Sequence, residues 1–200
     1  ARSFRHIGDI LDSYEYFKKN RDVVVLDLET FGGTNQYGRR QVDRITEFAF
    51  NFYRHKPGEA EPEVTRYHGF VGIDRNSREF SYYERLIQKG DYASLPEKDR
   101  VALLNLARIG HKETEIVEDP DMPGRFIVKK WFEGTEEIIN RENLSRGLKR
   151  ATEIGDKQKR HLYGGLMAWE KDLADALIEM QKGKMSVAGH NVARADLVWL

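Results

Sequence analysis

Val23-Val24-Val25-Leu26-Asp27-Leu28-Glu29-Thr30 opens with four apolar, mostly β-branched residues and closes on two acids. The apolar run has the pattern of a strand buried on both faces, which predicts an α/β chain rather than an all-helical one. On a strand, positions i and i+2 point to the same face, so the carboxylates of Asp27 and Glu29 project together. Like charges that close raise each other's pKa and cost stability. A divalent cation between them removes that cost, and hard oxygen ligands suit Mg²⁺ or Mn²⁺. Simple solvation at a strand end is the other reading of an isolated Asp-x-Glu.

Working outward, Arg2 to Asn20 is predicted to be an amphipathic helix, with Ile7, Ile10, Leu11, Tyr14 and Phe17 at helical spacing. The polar, glycine-containing stretch from Phe31 to Asp43 reads as a loop. Arg44 to Tyr53 then alternates, with Phe48, Phe50 and Phe52 on one face, and predicts a second strand antiparallel to the first. His55 to Pro62 is a turn by its Pro and Gly content, and Glu63 to Val71 completes a meander. The stretch from about 74 to 160 is dense in charge with few large apolar residues and is read as an elaboration packed on the core. Within it the pattern predicts a helix over Glu97–Arg108, a hairpin of Thr114–Val117 with Arg125–Phe132, and a helix over Glu136–Arg150. Leu162, Leu166, Trp169, Leu173, Leu177 and Met180 are spaced 4, 3, 4, 4 and 3, which predicts an amphipathic helix from Gly165 to Gln181 with its stripe in the core. Met185–Ala188 is a short strand candidate, followed by a Gly189-His190-Asn191 turn and a last helix carrying Asp196.

Composition bounds the chemistry. Among 200 residues, Lys plus Arg number 33 and Asp plus Glu number 33, so the formal net charge is zero. That argues against holding nucleic acid by bulk positive potential, and leaves room for a local grip on phosphates through metal ions. Apolar residues at 40% and aromatics at 11% exceed what a disordered chain carries. No apolar run approaches the length of about 18 residues needed to span a bilayer, and the first residues have no secretory h-region. Cysteine is absent, which removes disulfides, thiolate metal sites and cysteine nucleophiles, and fits an intracellular, reducing compartment, the cytoplasm first. The histidines show no zinc-ligand spacing, and Glu47, on the second strand, is read as structural.

Taken as an ordered pair, the two acidic motifs are more specific than either alone. Asp27-Leu28-Glu29-Thr30 followed by Phe31-Gly32 resembles the first motif of the DEDD superfamily of 3′→5′ exonucleases (DnaQ-like), and His190-Asn191 with Asp196 six residues after the histidine is similar to its second. The resemblance covers roughly Val23–Tyr53 and Lys184–Leu200. It implies a single ribonuclease-H-like domain over residues 1–200: a mixed sheet, antiparallel meander then parallel strands, flanked by helices, with residues 74–160 as an atypical insertion. It also implies a two-ion Mg²⁺ or Mn²⁺ site held by Asp27, Glu29 and Asp196, with Asp27 shared between the ions. Thr30, Phe31, His190 and Asn191 are implied to meet the substrate, a single-stranded DNA or RNA 3′ end. The third motif, His-x4-Asp or Tyr-x3-Asp, lies downstream of the second in the family, and four residues follow Asp196 here. The expectation is a chain cut before its last catalytic element. A catalytically inactive ribonuclease-H-like binding or scaffold module is the alternative. A glycosidase pair is disfavoured, because i, i+2 carboxylates stand too close to flank a glycosidic bond.

Overall fold

The computed structural model describes residues 22–34, 40–183 and 186–188. It is a mixed α/β structure whose described residues form eight strands and four helices. The chain divides into two compact units, Ala1–His68 with Lys171–Leu200, and Gly69–Glu170. The expected helix over Arg2–Asn20 and the motif residues His190, Asn191 and Asp196 lie outside the described residues.

In the first unit β1 (Val23–Thr34) and β2 (Arg40–Arg54) form a long antiparallel pair. Val24, Leu26 and Leu28 sit opposite Phe52, Phe50 and Phe48, and all six side chains are buried. Burial of this stripe drives the pairing, and each buried Leu or Phe contributes about 1.5–3 kcal/mol. The rings add specific geometry, Phe50 and Phe52 being stacked with centroids 6.3 Å apart and Tyr67 meeting Phe52 edge-on at 5.9 Å. Tyr67 belongs to β3 (Glu63–Phe70), which lies beside β2. Arg54 donates to Thr65 and Glu47 meets His68, so rising numbers on β3 face falling numbers on β2 and the two run antiparallel. On the other side of β1, β8 (Ser186–Ala188) pairs in parallel, Val23 with Ser186 through Val25 with Ala188.

Three expectations change here. The first strand is fully buried on one face only: Val23 and Val25 are half-buried and Asp27 and Glu29 exposed, because the strand's alternation puts the whole Phe stripe on the opposite side. The loop read over Phe31–Asp43 is mostly ladder, since the strands continue to Thr34 and from Arg40 by leaving Thr46 and Asp43 out of register as bulges. The set of parallel strands implied by the resemblance is not found: among the described residues β8 is the one parallel partner, and the other strands pair antiparallel.

The second unit is organised by α3 (Arg141–Arg160), whose Asn140 side chain accepts from the Asn143 N–H at 2.9 Å and sets its start. This cap places the helix five residues later than the predicted Glu136, and Glu136–Ile138 is instead a single 3₁₀ turn. The helix also runs ten residues past Arg150, through Gly155, where a side chain has no room. A Cβ on Gly155 would lie 2.4 Å from the Ile73 carbonyl oxygen, and one on Gly147 would lie 2.1 Å from the Leu106 oxygen of α2 (Glu97–Gly110). Two backbones therefore approach α3 at glycine contacts, and Ile73 N–H donates to the Ala151 carbonyl at 2.9 Å. The buried Gln158 side chain completes the contact, accepting from Gly72 N–H at 2.8 Å and donating to Phe70 O at 2.8 Å. Arg150 reaches the carbonyls of Ile109, Thr114 and Ile116, and its burial there lowers its pKa.

The hairpin of β4 (Glu115–Glu118) and β5 (Phe126–Lys130) falls where the Pro/Gly turn predicted it, and Gly69 at the end of β3 pairs with Ile127 of β5. Phe70, Ile116, Phe126, Val128 and Ile154 make its core. An unforeseen helix, α1 (Arg78–Lys89), is capped by Ser77, which accepts from Phe80 N–H at 3.1 Å, and ends at Gly90 with φ +76°. Leu162 and Leu166 do not begin the long amphipathic helix. They stand exposed on a small hairpin, β6 (Leu162–Tyr163) with β7 (Leu166–Met167), because Gly164 and Gly165 take φ +61° and +87° and make a tight turn. The helix is α4 (Ala168–Gly183), and Leu173, Leu177 and Met180 on it are half-buried. The fully buried positions are Ala168, Asp172 and Ala176, and Glu179, one turn on from Ala176, is ion-paired with Arg54 of β2.

Gly155→Ala is expected to cost about 1–3 kcal/mol, since backbone rather than a flexible side chain must move. Gln158→Met, similar in size, is expected to cost about 1–3 kcal/mol for each backbone group it leaves unpaired. Urea unfolding measures both, and wild-type stability in either variant contradicts the packing described. Acid sensitivity follows from two surface pairs. Lys159, with the Asn76 N–H, holds the Asp74 carboxyl below its ordinary range, and Lys157, with the Gly124 N–H, does the same for Glu118. A carboxyl depressed in the folded state adds stability above its ordinary pKa that is lost as pH falls through the folded value. The urea midpoint is therefore expected to drop between about pH 5 and pH 3. It should drop less in Lys157→Met/Lys159→Met, and an equal drop counts against the two pairs.

Candidate active site

The β1–β2 register separates the first unit's sheet into two chemically different faces. Even-numbered residues of β1 pair with the buried phenylalanines, so the odd-numbered set, Val23, Val25, Asp27 and Glu29, faces the other way. Its partners across the ladder are Tyr53, Asn51, Ala49 and Glu47. Apolar character thins along this face from Val23 to Glu29, and Asp27 and Glu29 are both exposed. Ala49, with its single methyl side chain, stands opposite Asp27.

Directly after Glu29 the register slips: Glu29 pairs with Glu47, while Thr30 pairs with Ile45, leaving Thr46 as the extra residue on β2. A second slip follows between Phe31 and Gly32. Bulges bend and twist a strand locally and re-aim side chains, and they are frequent beside functional sites. Thr30 is exposed and Phe31 half-buried immediately beyond the two acids. On the neighbouring strand, Ala188, the last described residue of β8, is level with Val25, two residues before Asp27, and the two strands run parallel.

Of the sequence-derived site residues, the structure thus places Asp27, Glu29, Thr30 and Phe31 along the middle of β1. His190, Asn191 and Asp196 lie outside the described residues, so the joining of the two motifs is not seen. Among the described residues no three acidic or histidine side chains are grouped to hold a metal ion. Two exposed carboxylates in i, i+2 register still supply the hard oxygen donors that Mg²⁺ or Mn²⁺ takes, and a third from elsewhere in the chain would complete such a set.

Two residues beside these acids were not among the sequence-derived site residues, Glu47 having been read as structural. Glu47 stands opposite Glu29, and its carboxylate is bound by the His68 ring. Strand alternation contained the signal, since placing Phe48, Phe50 and Phe52 on the core face puts Glu47 on the acidic one. His68 was visible only through the β2–β3 pairing, twenty-one residues away in sequence. Comparison with protein-family models, curated proteins and solved structures finds no match to this chain.

An exposed acid with a ligand's role contributes little to the fold in the absence of its cation. Asp27→Asn in EDTA is expected to change unfolding free energy by no more than about 0.5 kcal/mol. Leu26→Ala, one residue away on the buried face, is expected to cost about 2–5 kcal/mol. Urea titrations distinguish the two. A loss above 2 kcal/mol for Asp27→Asn, on the scale of a core defect, contradicts the assignment of that carboxylate to a ligand-facing surface.

Proposed function

We propose that the chain is a metal-dependent 3′→5′ exonuclease of ribonuclease-H-like fold, acting on single-stranded DNA or RNA 3′ ends in an intracellular compartment. The observation that carries the reading is the exposure of Asp27 and Glu29 together on one face of β1, two and four residues beyond the Val25–Ala188 pairing with the parallel strand β8. Crevices outside the carboxyl ends of parallel strands are where open α/β sheets bind their ligands. Among the described residues no helix is long and apolar enough to cross a membrane.

Asp27 and Glu29, with Asp196, are the residues that would hold two Mg²⁺ or Mn²⁺ ions. Bound there, the ions supply an activated water and neutralise charge on the scissile phosphate. The chain's own contribution is placement. β1 fixes the two carboxylates on one face through the buried Val24, Leu26 and Leu28, so their orientation is set before substrate arrives. Phe31, half-buried just past the acids, offers a ring on which a terminal base can stack without regard to sequence. Thr30, exposed between them, offers a hydroxyl and backbone to the terminal nucleotide, and His190 and Asn191 are the proposed contacts from the second motif. With zero net charge overall, attraction of the phosphate backbone is assigned to bound cations rather than to the protein surface.

The test uses full-length protein with 3′-labelled single-stranded DNA and RNA oligonucleotides and Mn²⁺. Stepwise release of mononucleotides, abolished by EDTA and reduced to background in Asp27→Ala and Glu29→Ala, is the expected result. Activity undiminished in Asp27→Ala contradicts the proposal. Binding of the oligonucleotide without any cleavage by the wild-type protein favours the inactive ribonuclease-H-like module instead.

A further inference from the structure

β4 ends the sheet on one side: among the described residues the strand order runs β4-β5-β3-β2-β1-β8, so β4 has a strand partner on its β5 side alone. An edge of this kind presents a row of backbone N–H and C=O groups with which another chain can pair. Asp119 N–H donates to the Arg125 carbonyl across the hairpin at 2.8 Å, so the odd-numbered residues here turn their backbone groups toward β5. Thr114 and Ile116, two residues apart, therefore turn theirs outward. Arg150 of α3 takes both outward carbonyls. Its Nη1 donates to Thr114 O at 3.0 Å and its Nη2 to Ile116 O at 3.1 Å, while Nη1 also reaches Ile109 O near the end of α2 at 3.2 Å. Two turns along α3, Lys157 Nζ meets the Glu118 carboxylate at 2.8 Å. Ile154, between those two positions, shares the core cluster with Ile116. The helix thus reaches the edge strand at both of its ends.

We infer that Arg150 closes this edge against strand addition, and that the strand it keeps out is β4 of a second copy of this chain. An incoming strand has to donate its N–H groups to the outward carbonyls, and the planar guanidinium already holds two of them with a fixed fork of donors. The sequence of β4, Glu115-Ile116-Val117-Glu118, points to self-pairing as the hazard. Its centre is two β-branched residues, the type that favours strand pairing. Antiparallel self-pairing about that centre would set Glu115 of one copy against Glu118 of the other at both ends, and opposed like charges destabilise a sheet. The guanidinium on the backbone and the glutamates on the side chains act in the same direction. This role is independent of the reading of Asp27 and Glu29.

The experiment is sedimentation velocity of the full-length protein over a range of concentrations, with circular-dichroism melts to confirm folding. Arg150→Met keeps an apolar stem and removes every donor, and it is expected to self-associate at about tenfold lower concentration than wild type. Arg150→Lys keeps the charge but loses the fork, and is expected to fall between the two. A lysine on an edge strand blocks pairing, so Arg150→Met/Val117→Lys is expected to return to within about twofold of wild type. Association driven by unfolding would rise in that double variant instead, since Val117 is half-buried. Folded Arg150→Met and Arg150→Lys that associate no more than wild type overturn the inference, as does association that Val117→Lys leaves in place. Loss of a folded melt in both Arg150 variants assigns the side chain to stability alone and overturns it as well.

Discussion

Val24, Leu26 and Leu28 meet Phe52, Phe50 and Phe48 across one face of the β1–β2 pair, and the chemistry of the other face follows from that contact. Side chains on a strand alternate with a period of two, so a register that buries the six apolar residues leaves Asp27, Glu29 and Glu47 together on the opposite side. A one-residue slip of β1 would bury Asp27 and Glu29 in place of Val24, Leu26 and Leu28, and one of β2 would bury Glu47 and expose three phenylalanines. The acidic face is therefore held by hydrophobic packing rather than by any attraction among the acids. The core face supplies the stability, and the opposite face carries Asp27, Glu29 and Glu47.

The second unit reaches order by a different route. Its surface is heavily charged, and its organising contact is the approach of α3 to the Gly72–Ile73 backbone and to α2, at Gly155 and Gly147. Backbones that close leave unpaired polar groups, and Gln158 and Arg150 satisfy them from within the same helix. Both side chains take the place of strand or water partners. The apolar cluster around Phe70 and Ile154 then closes over that arrangement.

These differences explain what could be read in advance. Alternation in Arg44–Tyr53 and the apolar run at Val23 gave the β1–β2 pair and the common face of Asp27 and Glu29, because both depend on local periodicity. The Pro/Gly turn at Asp119–Gly124 gave the β4–β5 hairpin for the same reason. The length of α3 was not legible, since the predicted helix stopped at Arg150 and the backbone approach that Gly155 admits has no local signal. Leu162 and Leu166 fitted a helical stripe by spacing, yet Gly164 and Gly165 between them make a hairpin turn, and turn chemistry outweighed period. The Glu47–His68 contact joins two strands and has no local signature. Asp27 and Glu29 were legible because both lie on one strand; Asp196 depends on a motif resemblance, and its meeting with them is the joint on which the functional account turns.

That joint has a direct measurement: a crystal structure of the full-length protein grown with Mn²⁺, with anomalous scattering recorded at the manganese edge. The account predicts anomalous peaks bound by Asp27 and Glu29 with Asp196 in the same ligand set, at oxygen distances of about 2.0–2.3 Å. Manganese bound elsewhere with the Asp27–Glu29 face bare, or Asp196 at the far end of the sheet from them, contradicts it.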